Sequence, residues 1–203
     1  MDAEGWNRRY ATSELIWTAE PNRFLVEQVG ELPPGRALDL GAGEGRNAVW
    51  LASRGWQVTA VDFSDVGLDK ARRLAEAANA TVELVCADAT EPVDRRYDLV
   101  IVLYLHLPAE QRRTAYVNAA GAVAPGGTLL VVGHDLANLT DGTGGPQDPG
   151  VLLTPDDVVA DLAGTGLRIE RAERVQRTVT TDDGPRIAID SLVRAHRPNP
   201  PDD

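Results

Sequence analysis

Residues 37–52, Ala-Leu-Asp-Leu-Gly-Ala-Gly-Glu-Gly-Arg-Asn-Ala-Val-Trp-Leu-Ala, combine the residue types and spacing with the most chemical content in the chain. They read as a buried strand, a glycine-rich turn and the start of a helix, the junction where nucleotide-like ligands dock in doubly wound α/β folds. The glycines fall at Gly41, Gly43 and Gly45, so the third comes one residue too early for the G-x-G-x-x-G dinucleotide fingerprint. Asp39 stands just before them. A pyrophosphate needs bare backbone N–H groups and a positive helix end, and a carboxylate at the strand tip repels it. A ligand carrying an ammonium and a sulfonium is attracted instead. The turn favours methyl transfer over hydride transfer.

The elements that must position this turn follow from pattern. Residues 6–19 form an aromatic-rich amphipathic segment (Trp6, Tyr10, Trp17), and Pro21 opens a helix over 22–29. Strand 36–41 precedes helix 45–54, which Gly55 stops. Strand 57–62 leads through Ser64, an N-cap, into helix 65–78, and strand 81–86 follows. Tyr97–Leu103 is a near-continuous apolar run, the mark of a central parallel strand buried on both faces. Pro108 starts a helix reaching about residue 122, and Pro125-Gly126-Gly127 turns the chain into strand 128–134. Residues 135–153 read as a long loop, long enough for a binding or lid role. Helix 155–163 has Thr154 as its N-cap, and strands 167–180 and 186–195 form a hairpin around Asp182-Asp183-Gly184-Pro185.

The alternation predicts a single α/β domain, a doubly wound, mostly parallel seven-stranded sheet with an antiparallel C-terminal hairpin. Within it, residues 1–30 are a helical cap or lid, 31–195 the Rossmann-like core and 196–203 a disordered tail. At 203 residues the chain is long enough for one proper core. A net charge of -11 opposes sequence-independent phosphate binding, so small molecules are the expected partners and nucleic acid is not. Lys70 is the sole lysine, and the one cysteine, Cys86, excludes an internal disulfide or a cysteine metal cluster. The N-terminal residues lack an apolar signal-peptide core, and no apolar run approaches 18 residues, so the expectation is a cytoplasmic protein without a membrane partner.

With these residues in place, the chain resembles the class I, Rossmann-like S-adenosylmethionine-dependent methyltransferases. Within them it is similar to the tellurite-resistance (TehB-like) and thiopurine-methyltransferase-like group. The carriers are Trp6-Asn7-Arg8-Arg9-Tyr10, Pro21-Asn22, Leu38 to Asn47, Val61-Asp62-Phe63-Ser64, Ala87-Asp88, Tyr97-Asp98-Leu99-Val100 and Ala124-Pro125-Gly126-Gly127. The resemblance implies S-adenosylmethionine as cofactor and S-adenosylhomocysteine as product. It places Asp39 at the methionine ammonium, with Gly41, Ala42 and Gly43 lying beside the methionine portion. Asp62 would accept from the ribose hydroxyls, Phe63 and Ser64 would border the nucleoside, and Asp88 and Ala89 would meet the adenine. Leu103 and Tyr104 would border the sulfonium, with Arg46, Asn47 and Trp17 as further contacts.

Several of these residues have plainer readings. Arg46 and Asn47 suit a helix start as well as a cofactor contact, and Trp6, Arg9, Tyr10 and Trp17 suit a packed cap as well as a lid. Trp50 and Trp56 read as packing residues, Cys86 as a small core residue, and Arg177 and Arg186 as solvated ion-pair residues. His106 and His134 follow the fourth and fifth strands, where either can face the reacting methyl, while His196 falls in the tail. Adjacent His134 and Asp135 are too few for a metal site, and none is expected. Tyr10, His106 and His134 are therefore the candidates for a base. An acceptor such as a thiolate or oxyanion needs none, whereas a phenol or amine does. The expected function is methyl transfer from S-adenosylmethionine to a small molecule or an oxyanion- or thiol-type acceptor. An aminopropyltransferase or a non-catalytic protein of the same fold is the alternative, and monomer and homodimer both remain open.

Overall fold

The computed structural model describes residues 3–11, 15 and 18–200. Along the chain lie α1 (Ala3–Tyr10), α2 (Arg23–Val29), β1 (Arg36–Leu40), α3 (Arg46–Ser53), β2 (Gln57–Asp62), α4 (Asp65–Ala77), β3 (Val82–Cys86) and β4 (Tyr97–Leu103). They are followed by α5 (Ala109–Ala122), β5 (Val123–His134), α6 (Asn138–Asp141), a 3-10 turn at Pro149–Val151, α7 (Pro155–Asp161), β6 (Arg168–Thr181) and β7 (Gly184–His196). The strands form one sheet in the order β3-β2-β1-β4-β5-β7-β6. β1 to β5 run parallel, and β7 is antiparallel to both β5 and β6. The order reverses direction between β1 and β4, the switch point where ligands bind in open sheets.

Each face of the sheet buries its own apolar layer. Leu38, Val100, Val102, Leu129 and Val131 pack with Tyr116 of α5 and Val158 of α7. On the other face, Ala37, Leu99, Ile101, Leu130 and Val132 pack with Leu51 of α3 and with Phe24, Leu25 and Val29 of α2. Burying a side chain of this size contributes about 1.5–3 kcal/mol. The helical cap expected over residues 1–30 thus shares the sheet's core through α2, while α1 packs on α4.

Local chemistry sets where elements begin. Asn22 stays extended and its Oδ1 accepts from the amides of Phe24 and Leu25, so α2 starts after Asn22, one residue later than Pro21 alone suggests. Ser64 caps α4 by accepting from the Gly67 amide at 3.0 Å, and Thr154 and Asp157 form a capping box at α7. Pro125-Gly126-Gly127 does not precede β5 but lies inside it, as an irregularity between the Tyr97–Val123 and Leu99–Thr128 pairs.

Three further expectations change. The segment 135–153 is built rather than open: Asp135 bridges Leu153, and Asn138 donates to the carbonyls of Thr143 and Gly144 while accepting from the Ile189 amide. His196 and Arg197, expected in a disordered tail, are instead held in place: His196 ends β7 and the Arg197 guanidinium donates to the carbonyls of Val123, Thr165 and Ala120. Cys86 is exposed rather than buried, since β3 is an edge strand. No helix among the described residues is long and apolar enough to cross a membrane.

Candidate active site

The turn after β1 is folded tightly on itself. Gly41, Gly43 and Gly45 all have positive φ, and a Cβ on Gly43 would stand 2.7 Å from the Tyr10 hydroxyl. The amides of Gly41 and Ala42 both donate to the Val61 carbonyl, at 2.8 and 3.0 Å, and the Gly45 amide to the Ala42 carbonyl at 3.0 Å. The Gly43 amide donates to Asp62 Oδ2 at 2.8 Å. Amides already bonded within the protein make a poor phosphate cradle. What the turn presents instead is carboxylate.

Asp39 is 1% exposed, and its Oδ2 has no hydrogen-bond partner. Burial first, then the charge of Asp62, pushes its carboxyl up to about 7, against the opposing pull of the Ala48 amide and Arg46. An orphaned buried carboxylate oxygen is costly unless something positive arrives. Asp62 ends β2 with Oδ1 accepting from the Ser64 amide at 2.9 Å. Its carboxyl is also raised, by burial, with the Ser64 and Gly43 amides opposing. Asp62 therefore pins the turn as well as lining it. An acid-lined, glycine-built turn with a buried unpaired carboxylate fits the methionine and ribose portions of S-adenosylmethionine.

The other residues proposed from sequence distribute around this turn. Ser64 Oγ is committed to its capping bond and to donating to Asn7 Oδ1 at 2.6 Å, which ties α1 to α4. Asn47 Oδ1 accepts from the Asn22 amide at 2.9 Å, which ties the start of α3 to the start of α2. Phe63 is half-buried beside Asp62. Asp88 is exposed at the end of β3, with Oδ1 taken by the Thr90 amide and hydroxyl, and Ala89 packs against the core. Tyr10 is buried against Gly43 and Gly67 and stacks on Trp6 at 5.3 Å. Trp17 lies outside the described residues.

A second centre forms at the ends of β4 and β5. Leu103 is buried, and Tyr104 after it adopts φ 58°, a left-handed conformation that costs a non-glycine residue about 1–2 kcal/mol. Strain of this kind gathers at functional sites. The Tyr104 hydroxyl donates to Asp190 Oδ2 at 2.8 Å, and Arg177 Nε donates to the same oxygen at 2.7 Å and to the Tyr104 hydroxyl oxygen at 3.2 Å. His134 Nδ1 stands 3.1 Å from Asp190 Oδ1; the ring is not ideally aligned, but neither atom has another partner. His106 stacks on His134 at 5.2 Å, and its Nε2 accepts from the His134 amide at 3.3 Å. On the far side, a Cβ on Gly145 would come within 2.6 Å of His134 Cδ2 and 2.8 Å of Nε2.

The electrostatics separate the two histidines. Burial, then the neighbouring His134, pushes His106 down to about 4, so it is neutral and acts as an acceptor holding the β5 end. Burial, then Asp190, holds the Tyr104 hydroxyl well above its ordinary range, which keeps it a donor. Burial pushes the Asp190 carboxyl up as well. The His134 contact, Arg177 and Tyr104 together outweigh that and keep it below the usual carboxylate range.

Asp190 was not anticipated, and Arg177 turns out to be an ion-pair residue bound to a fully buried acid rather than to solvent-facing charge. Asp190 left one signal, an acid in the apolar run Ile187-Ala188-Ile189-Asp190-Ser191-Leu192-Val193. Arg186 matches its solvated reading, exposed and 3.7 Å from Asp183. No group of three or more His, Cys, Asp or Glu among the described residues is arranged to hold a metal. A hollow of about 360 Å³ lined by Arg96, Val123, Pro125, Thr165 and Arg197 lies at the opposite, amino ends of the strands, and its Arg197 is already spent on carbonyls.

Residues 37–127, which span the acid-lined turn and β4, match the family model described as a methyltransferase domain. The match covers somewhat less than half of the chain, and over these residues the chain is similar to that family. Among curated relatives it is similar to a ubiquinone biosynthesis O-methyltransferase of Coxiella burnetii, 33% identical over 134 residues, covering 63% of this chain and 56% of the relative. It is also similar to a ribosomal RNA small subunit methyltransferase C of Alcanivorax borkumensis, 30% identical over 106 residues, covering 50% of this chain and 33% of the relative. The chain thus spans between a third and somewhat over half of the length of these relatives. Its fold is similar to a solved structure concerned with converting a disulfide bond into a thioacetal group during echinomycin biosynthesis, at TM-score 0.77 and 21% identity, covering 97% of this chain and 91% of that one. TehB from Haemophilus influenzae is a further structural neighbour, at TM-score 0.72 and 16% identity, covering 96% of this chain and 66% of that one.

Proposed function

We propose that this protein moves a methyl group from S-adenosylmethionine to a small acceptor that gives up a proton, with His134 as the base. The observation that carries this reading is the fully buried Asp190 facing His134 Nδ1 at 3.1 Å. A carboxylate on one ring nitrogen fixes the tautomer and leaves the other nitrogen to accept a proton. When bound, the cofactor supplies an electrophilic methyl on a sulfonium. Everything else falls to the chain. Asp39 attracts the cationic methionine portion, Asp62 is placed for the ribose hydroxyls, and Phe63, Asp88 and Ala89 border the space beyond. Asp190 stays ionised and positions His134, while Arg177 and Tyr104 hold Asp190. His106 keeps the end of β5 in place, and Tyr10 packs the glycine turn rather than serving as the base.

A small molecule is favoured over RNA because the chain carries a net charge of -11 and the acidic balance repels phosphate backbones. The test is to incubate the protein with methyl-labelled S-adenosylmethionine and a panel of catechols, quinols, thiols and a short RNA. Label transfer to a protonated small acceptor, abolished in His134→Ala, supports the reading. Transfer to RNA alone, or transfer unaffected by His134→Ala, contradicts it.

A further inference from the structure

Strand β6 is an open edge. It spans 14 residues at one end of the sheet, and among the described residues none of its backbone groups bonds to any element but β7. Arg168 to Arg174 are all exposed, whereas the opposite edge, β3, spans only five residues. A long row of unpaired N–H and C=O groups is a template for another strand, and proteins commonly blunt it with charges. On β6 the charges have the opposite effect. Glu170-Arg171-Ala172-Glu173-Arg174 reads backwards as Arg-Glu-Ala-Arg-Glu, so an antiparallel second copy centred on Ala172 meets every acid with a base. Centring one residue earlier sets Arg171 against Arg171, and one residue later Glu173 against Glu173, both unfavourable.

The central pairs set this register. Arg171 and Glu173 share one face of the strand and pair with each other there, with side chains still 42% and 47% exposed. Across a two-fold axis at Ala172, two Arg171 and two Glu173 side chains make a square of alternating charge, and the small Ala172 lets the strands meet at the axis. Outside the square, Glu170 is the extra residue of a bulge, drawn toward Arg194 and His196 at 3.0 and 3.1 Å, and Arg174 pairs with Asp135 at 2.9 Å. We propose that two copies of this chain join antiparallel through β6 about Ala172, making one continuous sheet across a two-fold dimer. This interface is independent of the cofactor and acceptor readings.

Sedimentation velocity of the full chain over about 1–200 µM covers the range in which a small contact of this kind associates. Wild type is expected to pass from monomer to dimer as concentration rises. Glu173→Arg sets arginines against arginines, and Arg171→Glu sets acids against acids. Each alone should weaken dimerisation by at least about tenfold, with the melting transition unchanged because both side chains are exposed. Mixed in equal amounts, the two variants restore alternating charge and should dimerise as wild type does. A second check is Ala172→Cys in a Cys86→Ser background. Antiparallel neighbours at the axis lie within disulfide reach, so mild oxidation should cross-link it but not Gln176→Cys, farther along the strand. Wild type that stays monomeric throughout overturns the proposal. Dimerisation that either reversal leaves unchanged, reversed variants that stay apart when mixed, or no cross-link at Ala172→Cys overturns it too, and moves any dimer to another surface.

Discussion

The Tyr104 hydroxyl, on the turn after β4, donates to Asp190 Oδ2 at 2.8 Å across a separation of 86 residues. That bond joins the glycine-turn half of the fold to the antiparallel C-terminal pair, and it holds the acid that faces His134. Tyr104→Phe keeps the ring packed on His134 at 5.0 Å but removes a donor from a fully buried carboxylate. We expect turnover to fall by roughly fivefold to thirtyfold, the equivalent of about 1–2 kcal/mol, with S-adenosylhomocysteine affinity unchanged. Steady-state kinetics beside a binding titration checks this; loss of affinity with unchanged kcat would reassign Tyr104 to the cofactor.

His134→Ala should lower kcat by about a hundredfold or more, as expected for a lost general base. Asp190→Asn keeps the shape but cannot stabilise a protonated ring, so it should also lower kcat while leaving cofactor binding intact. With any acceptor found to turn over, both variants should bind S-adenosylhomocysteine as wild type does while turnover falls, and an unchanged kcat in His134→Ala would remove His134 from the mechanism.

Asp39 predicts a cost to stability. Its carboxyl sits at about 7 in the fold against 3.8 in the unfolded chain, so the fold favours the protonated form. The associated stability is complete below the unfolded value and is lost as pH rises through about 7. Asparagine never ionises and avoids the loss. Relative to wild type, Asp39→Asn should therefore be more stable at pH 8 than at pH 5, the gap growing by on the order of 1–4 kcal/mol. Urea unfolding of the ligand-free proteins at the two pH values measures this, and a pH-independent difference would show that Asp39 is not held out of its ordinary range.

Sequence made the acid-lined glycine turn visible and hid much of the cluster around His134, for a physical reason. Asp39 and Asp62 each sit at a strand end within a few residues of a glycine or a cap, so local pattern identifies them. Asp190 and Arg177 reach His134 and Tyr104 only through the β5–β7–β6 register, in which His134 pairs with Asp190 and Arg177 with Ala188. No local spacing encodes that pairing. Histidine identity alone could not separate His134 from His106, because the difference lies in which ring nitrogen is already occupied. The bond from the Asn22 amide to Asn47 Oδ1 was hidden for a similar reason, since the two residues lie 25 positions apart.

Gly145 offers a test of the segment that covers His134. Its φ of 75° and the 2.6 Å approach to His134 Cδ2 leave no room for a methyl group. Gly145→Ala should cost about 1–2 kcal/mol of stability and lower turnover by displacing the ring, with S-adenosylhomocysteine affinity within about twofold of wild type. Unchanged kcat, measured beside the melting transition, would show that the segment does not bear on His134.

The central claim is that the acid-lined end of the sheet holds the nucleoside of S-adenosylmethionine, and Asp62 tests it most directly. Calorimetric titration of S-adenosylhomocysteine and adenosine into wild type and Asp62→Ala, each confirmed folded by circular dichroism, is the measurement. Saturable one-to-one binding to wild type is predicted, with both ligands weakened by roughly tenfold to a hundredfold in Asp62→Ala, because both carry the ribose. No saturable binding to wild type, or affinities that the substitution leaves unchanged, would contradict the account.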